Sequence, residues 1–182
     1  PNSTFDFFLG SGASVQAGIP TGYSMTWAFK RDIYCTETGV NLGAMKDLQS
    51  EHTQATLQAY FDAQQEAPVK EDPLEYAYYF QRCHPTSAAR ESYIQNKVRG
   101  IKPSIGHLCL ASLIKAGRVT KVWTTNFDEL VESGIKTLEP SFAFKVHSSA
   151  NQKDASFTAD STFPAVIKLH GDYRYDHILN TP

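Results

Sequence analysis

The sequence predicts a doubly wound α/β fold with a helical insertion, and three observations predict it. Three short apolar runs, Phe5–Leu9, Val119–Thr125 and Ala165–Leu169, are nearly continuous, and each ends in Gly, Asn or His with small polar residues. Strands buried on both faces of a parallel sheet read this way. Helical periodicity follows or precedes them, which is the alternation of an open α/β sheet. Between about Cys35 and Gly100, by contrast, strand signals vanish and the chain turns polar and helical.

Taken in order, the first strand runs into Gly10-Ser11-Gly12, and a short helix over Ala13–Ala17 stops at Gly18, with Pro20 two residues on. Glycine just past a helix is the usual left-handed cap. In the polar segment, "DPLEY" places Asp72 as an N-cap, Pro73 as the first helical residue and Glu75 as the capping-box partner. Ile94, Val98 and Ile101 form an apolar stripe. After Pro103 and before Gly117, Ile105, Leu108, Cys109 and Leu113 repeat at helical spacing, as do Phe127, Leu130, Val131, Ile135 and Leu138. Phe142–His147 is a weaker fourth strand, and Ser148–Thr162 reads as a polar loop. The expected division is a sheet domain over 1–34 and 101–182, with a helical insertion over 35–100.

Bulk properties narrow the function. At 182 residues the chain suits one domain carrying an insertion. Seventeen Lys and Arg against nineteen Asp and Glu give a net charge of −2 without a basic block, so the footprint of a direct nucleic-acid binder is missing. No apolar run suits a bilayer span and no signal-peptide pattern opens the chain. Cys35, Cys83 and Cys109 are scattered without a C-x-x-C, which argues for a cytoplasmic, reducing setting and against a zinc site. The chain opens at Pro1 and stops at Pro182 soon after "KLHGD", and so reads as a piece of a longer protein.

Three constellations carry chemistry. Gly10 lets the chain turn out of the strand, and Gly12 leaves bare backbone for a phosphate, with donors from Ser11 through Ser14. A lone Gly-x-Gly is also common in plain turns. In "VWTTNFDEL", Thr124, Thr125, Asn126 and Asp128 cluster where a strand gives way to a helix, and Asp128 suits a cap as well as a site. In "VIKLHGDY", His170 at a strand end is placed for proton transfer near neutral pH. The neighbouring Asp172, Asp176 and His177 match no common metal spacing, so no metal is expected. His52, His84, His107, His147 and His177 read as structural.

Phe8–Tyr23 ("FLGSGASVQAGIPTGY"), Thr124–Asp128 ("TTNFD") and Lys168–Asp172 ("KLHGD") resemble, in this order, the three signatures of the sirtuin superfamily. Pro103–Leu113 ("PSIGHLCLASL") resembles that family's P-x-x-x-H-x-x-L-x-x-L helix. The resemblance implies a Rossmann-like sheet, incomplete at its C-terminal side in this chain, that binds NAD and breaks its nicotinamide–ribose bond. It implies that Gly10, Ser11, Gly12, Ala13 and Ser14 line the pyrophosphate and ribose, and that Gly18, Ile19, Pro20 and Thr21 border the nicotinamide. Thr125 joins the NAD contacts, Asn126 and Asp128 meet the ribose and the attacking water, and His170 is the catalytic histidine.

Departures from the family pattern refine the subtype. Thr21-Gly22-Tyr23 stands where protein deacylases have Asp-Phe-Arg, "TTNFD" replaces "TQNID", and no cysteine follows His170. These features resemble the sirtuin-like NAD hydrolases of bacterial anti-phage systems. The resemblance then implies an effector domain fused to, or assembled with, a sensor or ATPase module, and a homo-oligomer. Two alternatives stand beside it: an NAD-dependent deacylase or ADP-ribosyltransferase, and a non-catalytic sensor of NAD or ADP-ribose.

Overall fold

The computed structural model describes residues 3–148 and 163–170. It is a mixed α/β structure that divides into two compact units: one takes the chain to Ile19 and again from Tyr93, the other takes Pro20–Ser92. The sequence texture suggested boundaries near 34 and 100. The difference arises because the helix Gly22–Thr38 (α1) belongs with the helical unit.

The first unit is built on a parallel sheet of β1 (Phe5–Leu9), β2 (Val119–Thr124), β3 (Lys145–Ser148) and β4 (Ala165–Lys168), in the order β1-β2-β4-β3. Registers align Leu9 with Thr124, Thr124 with Lys168, and Ser148 with Lys168. Four strand ends therefore finish level with one another. On the face shared by Val122 and Val166, the core is completed by α5 (Ile105–Lys115) and α6 (Leu130–Leu138), through Leu110, Ala111, Ile114, Val131 and Ile135.

Three expectations are corrected in this unit. The helix at α5 forms where periodicity put it, but its buried face is His107, Leu110, Ala111 and Ile114, while Ile105 is 78% exposed and Leu113 41%. The segment is apolar nearly all round, so the sequence allows either stripe; Ala111, the small residue, selects the face that approaches α6. There a Cβ on Gly134 would lie 3.1 Å from the His107 carbonyl oxygen. Gly134→Val is accordingly expected to destabilise by roughly 1–3 kcal/mol through overpacking, read as a lower chemical-denaturation midpoint at unchanged slope. Secondly, β1 is not buried on both faces: it is an edge strand among the described residues, with Phe5 60% and Phe8 66% exposed. β4, by contrast, is buried along its whole length as expected. Thirdly, α6 starts at Leu130 rather than Phe127, because Asp128 Oδ1 accepts the Leu130 N–H at 3.1 Å and holds the entry as a turn.

The helical unit comprises α1, α2 (Glu51–Asp62), α3 (Glu75–Cys83) and the start of α4 (Ser87–Val98). Phe29 and Phe80 stack at 5.2 Å, and Phe61 meets Tyr79 edge-on at 4.8 Å. Burial pushes the Cys83 thiol up to about 12, and its Sγ donates to the Phe29 carbonyl at 3.4 Å. Asp72 and Pro73 form a turn ahead of α3 rather than its first residues. The Glu75 carboxylate reaches the Glu71 N–H at 2.9 Å instead of closing a capping box on Asp72, and its other oxygen takes the fully buried Lys30. A buried ammonium without a carboxylate costs more than a missed cap returns.

Candidate functional site

Parallel strands that finish level bring their following loops together. Beyond β1 the chain forms a tight 3₁₀ segment, Ser11–Ala17, started by Ala13 N–H donating to the Gly10 carbonyl at 3.0 Å. It ends at Gly18, whose φ of 98° is left-handed, as the sequence predicts. Neither Gly10 nor Gly12 has a positive φ, and a Cβ on either would meet nothing within 4 Å among the described residues. The fold itself thus makes no demand for glycine at 10 or 12. Bare backbone there opens onto space that no described residue fills.

Beyond β2, Thr125 N–H donates to the Leu9 carbonyl at 3.1 Å, and Leu169 N–H, beyond β4, donates to the Thr124 carbonyl at 2.8 Å. These bonds carry the sheet ladder one step further and hold the three loops side by side. The three motifs, more than a hundred residues apart at the extremes, become neighbours through main-chain pairing.

At the centre is Asn126. Its backbone N–H donates to Thr124 Oγ1 at 3.0 Å, and its Nδ2 donates to the Gly10 carbonyl at 3.1 Å and to Ser14 Oγ at 3.0 Å. The Gly10 carbonyl can only accept, so the amide orientation follows from the network. Both amide protons are committed, and what Asn126 has left to offer is the acceptor Oδ1.

Ser14 is 1% exposed and its hydroxyl donates to Asp128 Oδ2 at 2.6 Å. Asp128, 7% exposed, uses its other oxygen on the Leu130 N–H. It therefore acts as a helix-entry cap and as the anchor of the glycine-loop hydroxyl at once. Hydrogen bonds to a buried charge contribute about 1.5–3 kcal/mol each, enough to fix this cluster without a ligand.

His170 is exposed, and its ring centroid lies 6.5 Å from that of Phe127, the residue after Asn126. Ser11 and Gly12 are exposed, Ala13 and Thr125 half-buried, and Ile19 8% exposed. Pro20 and Thr21 belong to the helical unit, where Thr21 Oγ1 accepts the Ser24 N–H at 3.1 Å and caps α1. Asp172, Asp176 and His177 lie outside the described residues. Among those described, no group of three His, Cys, Asp or Glu could hold a metal, and no helix is long and apolar enough to cross a membrane.

His107 closes a capping box with Ser104 and is buried, and burial holds it below the ordinary 6.5 despite the opposing pull of the Asp128 carboxylate. Two residues escaped the sequence reading. Lys168 and Glu132 are both buried beneath the loop that carries Asn126, at 1% and 3% exposure. The signal was present, since each is a lone charge inside an apolar stripe and the two have opposite sign. No family model matches the chain, and no curated protein does.

Proposed function

We propose that the chain is a sirtuin-like NAD hydrolase that cleaves NAD to nicotinamide and ADP-ribose. The single observation that carries this is the orientation of Asn126: both of its donors are tied to the glycine loop, so it presents an acceptor for a ribose hydroxyl or a water at the mouth of the sheet. Binding a phosphate needs no such acceptor, whereas cleavage at a sugar carbon does benefit from one. The empty space beside Gly10 and Gly12 supports close approach of a pyrophosphate to Ser11, Gly12 and Ala13.

In the reaction the C1′–N bond breaks, nicotinamide leaves neutral with the bonding pair, and water supplies the new C1′–O bond while releasing one proton. Asn126 Oδ1 orients the hydroxyl or the water. His170, exposed at the mouth, takes the proton, a role worth about 10²–10⁴-fold in rate. Each oxygen of the Asp128 carboxylate accepts one hydrogen bond, from Ser14 and from the Leu130 N–H, so it holds the geometry of Asn126 through Ser14 and keeps acceptor capacity for the ribose. By the same resemblance the domain serves as an effector in anti-phage defence, working with a sensor or ATPase module.

The test is to incubate the protein with NAD and quantify nicotinamide and ADP-ribose. Equal release of both, without an acylated or ADP-ribosylated protein product, is the expected result. NAD binding without release would favour the sensor reading, and consumption tied to loss of an acyl-lysine would favour the deacylase.

A further inference from the structure

We propose that Lys168 and Glu132 form a positioning pair that holds the Asn126–Asp128 loop at its working distance from the glycine loop, without touching substrate themselves. The hydrolase reading enters this assignment only through its activity readout.

Lys168 closes β4 on the same face as Val166, the face that α6 covers. On α6, Glu132 sits one residue beyond Val131 and three before Ile135, within the stripe that faces the sheet. The Lys168 Nζ donates to the Asp128 main-chain oxygen at 2.7 Å and lies 3.0 Å from Glu132 Oε1, with side-chain exposures of 0% and 4%. The N-cap of α6 is Glu129, so the Asp128 carbonyl stands outside the helix ladder, where Lys168 supplies it with a donor.

Stability gives little reason for such a pair. Two charges taken out of water are often replaced by apolar residues of similar volume at no loss, or at a gain. What apolar residues cannot do is present a fixed donor to the main chain of Asp128. From there the linkage runs in one direction: Asp128 receives the Ser14 hydroxyl, and Ser14 receives the Asn126 amide. Lys168 is the member that β4 contributes among the described residues, and it is two residues from His170. It therefore ties the residue proposed as base to the residue proposed to orient water. Glu132 Oε1, 3.0 Å from the ammonium, is an ion-pair neighbour without hydrogen-bond geometry, while the directed bond of Lys168 goes to the Asp128 main chain.

The experiment replaces both charges at once, as Lys168→Met/Glu132→Leu in the full chain. Melting temperature, NAD affinity, nicotinamide release and amide hydrogen exchange over residues 124–130 are measured against wild type. The expected result is an unchanged or higher melting temperature and near-native NAD affinity. Turnover falls on the order of 10²-fold, the cost of about 1 Å of misplacement. Exchange over 124–130 quickens by about tenfold while that of α5 does not change, a local opening rather than a global one. Wild-type turnover and wild-type exchange in the double variant would overturn the proposal. If wild type itself releases no nicotinamide, the hydrolase reading fails, and exchange alone decides the pair: faster supports it, unchanged overturns it. Where the double variant melts lower than wild type, Lys168→Met/Glu132→Gln, which removes both charges but keeps a buried amide, takes its place under the same criteria.

Discussion

Asn126→Ala and His170→Ala are each expected to cut nicotinamide release by about 10²–10³-fold, the usual loss when one preorganised polar group leaves a reacting centre. The two act through different atoms, and the structure separates their side effects. His170 is exposed, so its removal is expected to shift stability by no more than about 0.5 kcal/mol. Asn126 spans the Gly10 carbonyl and the buried Ser14 hydroxyl, so its loss leaves both without their donor and costs about 1–3 kcal/mol. NAD affinity is expected to survive His170→Ala, because Ser11–Ala13 is a separate element. The double variant is expected to be little worse than the poorer single one, since groups serving one transition state are not additive. Asn126→Asp provides the sharper control: a carboxylate has no proton for the Gly10 carbonyl, and the oxygen that replaces Nδ2 faces both that carbonyl and the Ser14 hydroxyl oxygen. It is expected to be at least as inactive as Asn126→Ala despite its near-identical shape. A folded His170→Ala that releases nicotinamide at the wild-type rate would remove the histidine from the mechanism.

Gly12→Val is expected to abolish measurable NAD binding while leaving the fold in place. The two halves of that expectation rest on one observation, that a Cβ at 12 meets no atom of the described residues within 4 Å and the backbone there is not left-handed. A branched side chain therefore strains nothing among the described residues, and valine is no poorer a helix former than the glycine it replaces. It does fill the space a phosphate would need. Calorimetry on a variant with native circular dichroism makes the measurement, and unchanged affinity would take the pyrophosphate away from this loop. Gly18→Val is a different experiment, since φ of 98° there strains any branched residue and disturbs the fold first.

The strands and the places where the motifs sit were legible because both depend on local pattern. The run Phe5–Leu9, the arrest at Gly18 and the strand end at Thr124 follow from apolar continuity, glycine and small polar residues. Burial was less legible. "FDFFL" reports what a strand is able to bury and carries no information on which strands flank it, so its edge position did not show. In α5 the sequence offers apolar residues around most of the circumference, and the choice of face was made by the fit of Ala111 and the His107 main chain against Gly134 on another helix. The site was legible as a list of residues but not as a network. That Asp128 is both cap and anchor depends on Ser14, which lies 114 positions away. Lys168 and Glu132 were passed over because a charge at a strand end or in a helix ordinarily faces water.

The level strand ends have a temporal meaning as well as a spatial one. Asp6 and Thr120, whose side chains meet at 3.0 Å on paired strands, are separated by 114 positions. No local version of the site exists that forms first and is then refined. Closing so long a loop is slow in coming and is rewarded only when the parallel pairing is made. As a chain grows from its N-terminus, the glycine loop is made early and stays without its partners. Asn126 arrives next, and Lys168 and His170 follow it. The proposed site is thus not assembled until β4 enters the sheet beside β2, so its parts come together in one step rather than by stages.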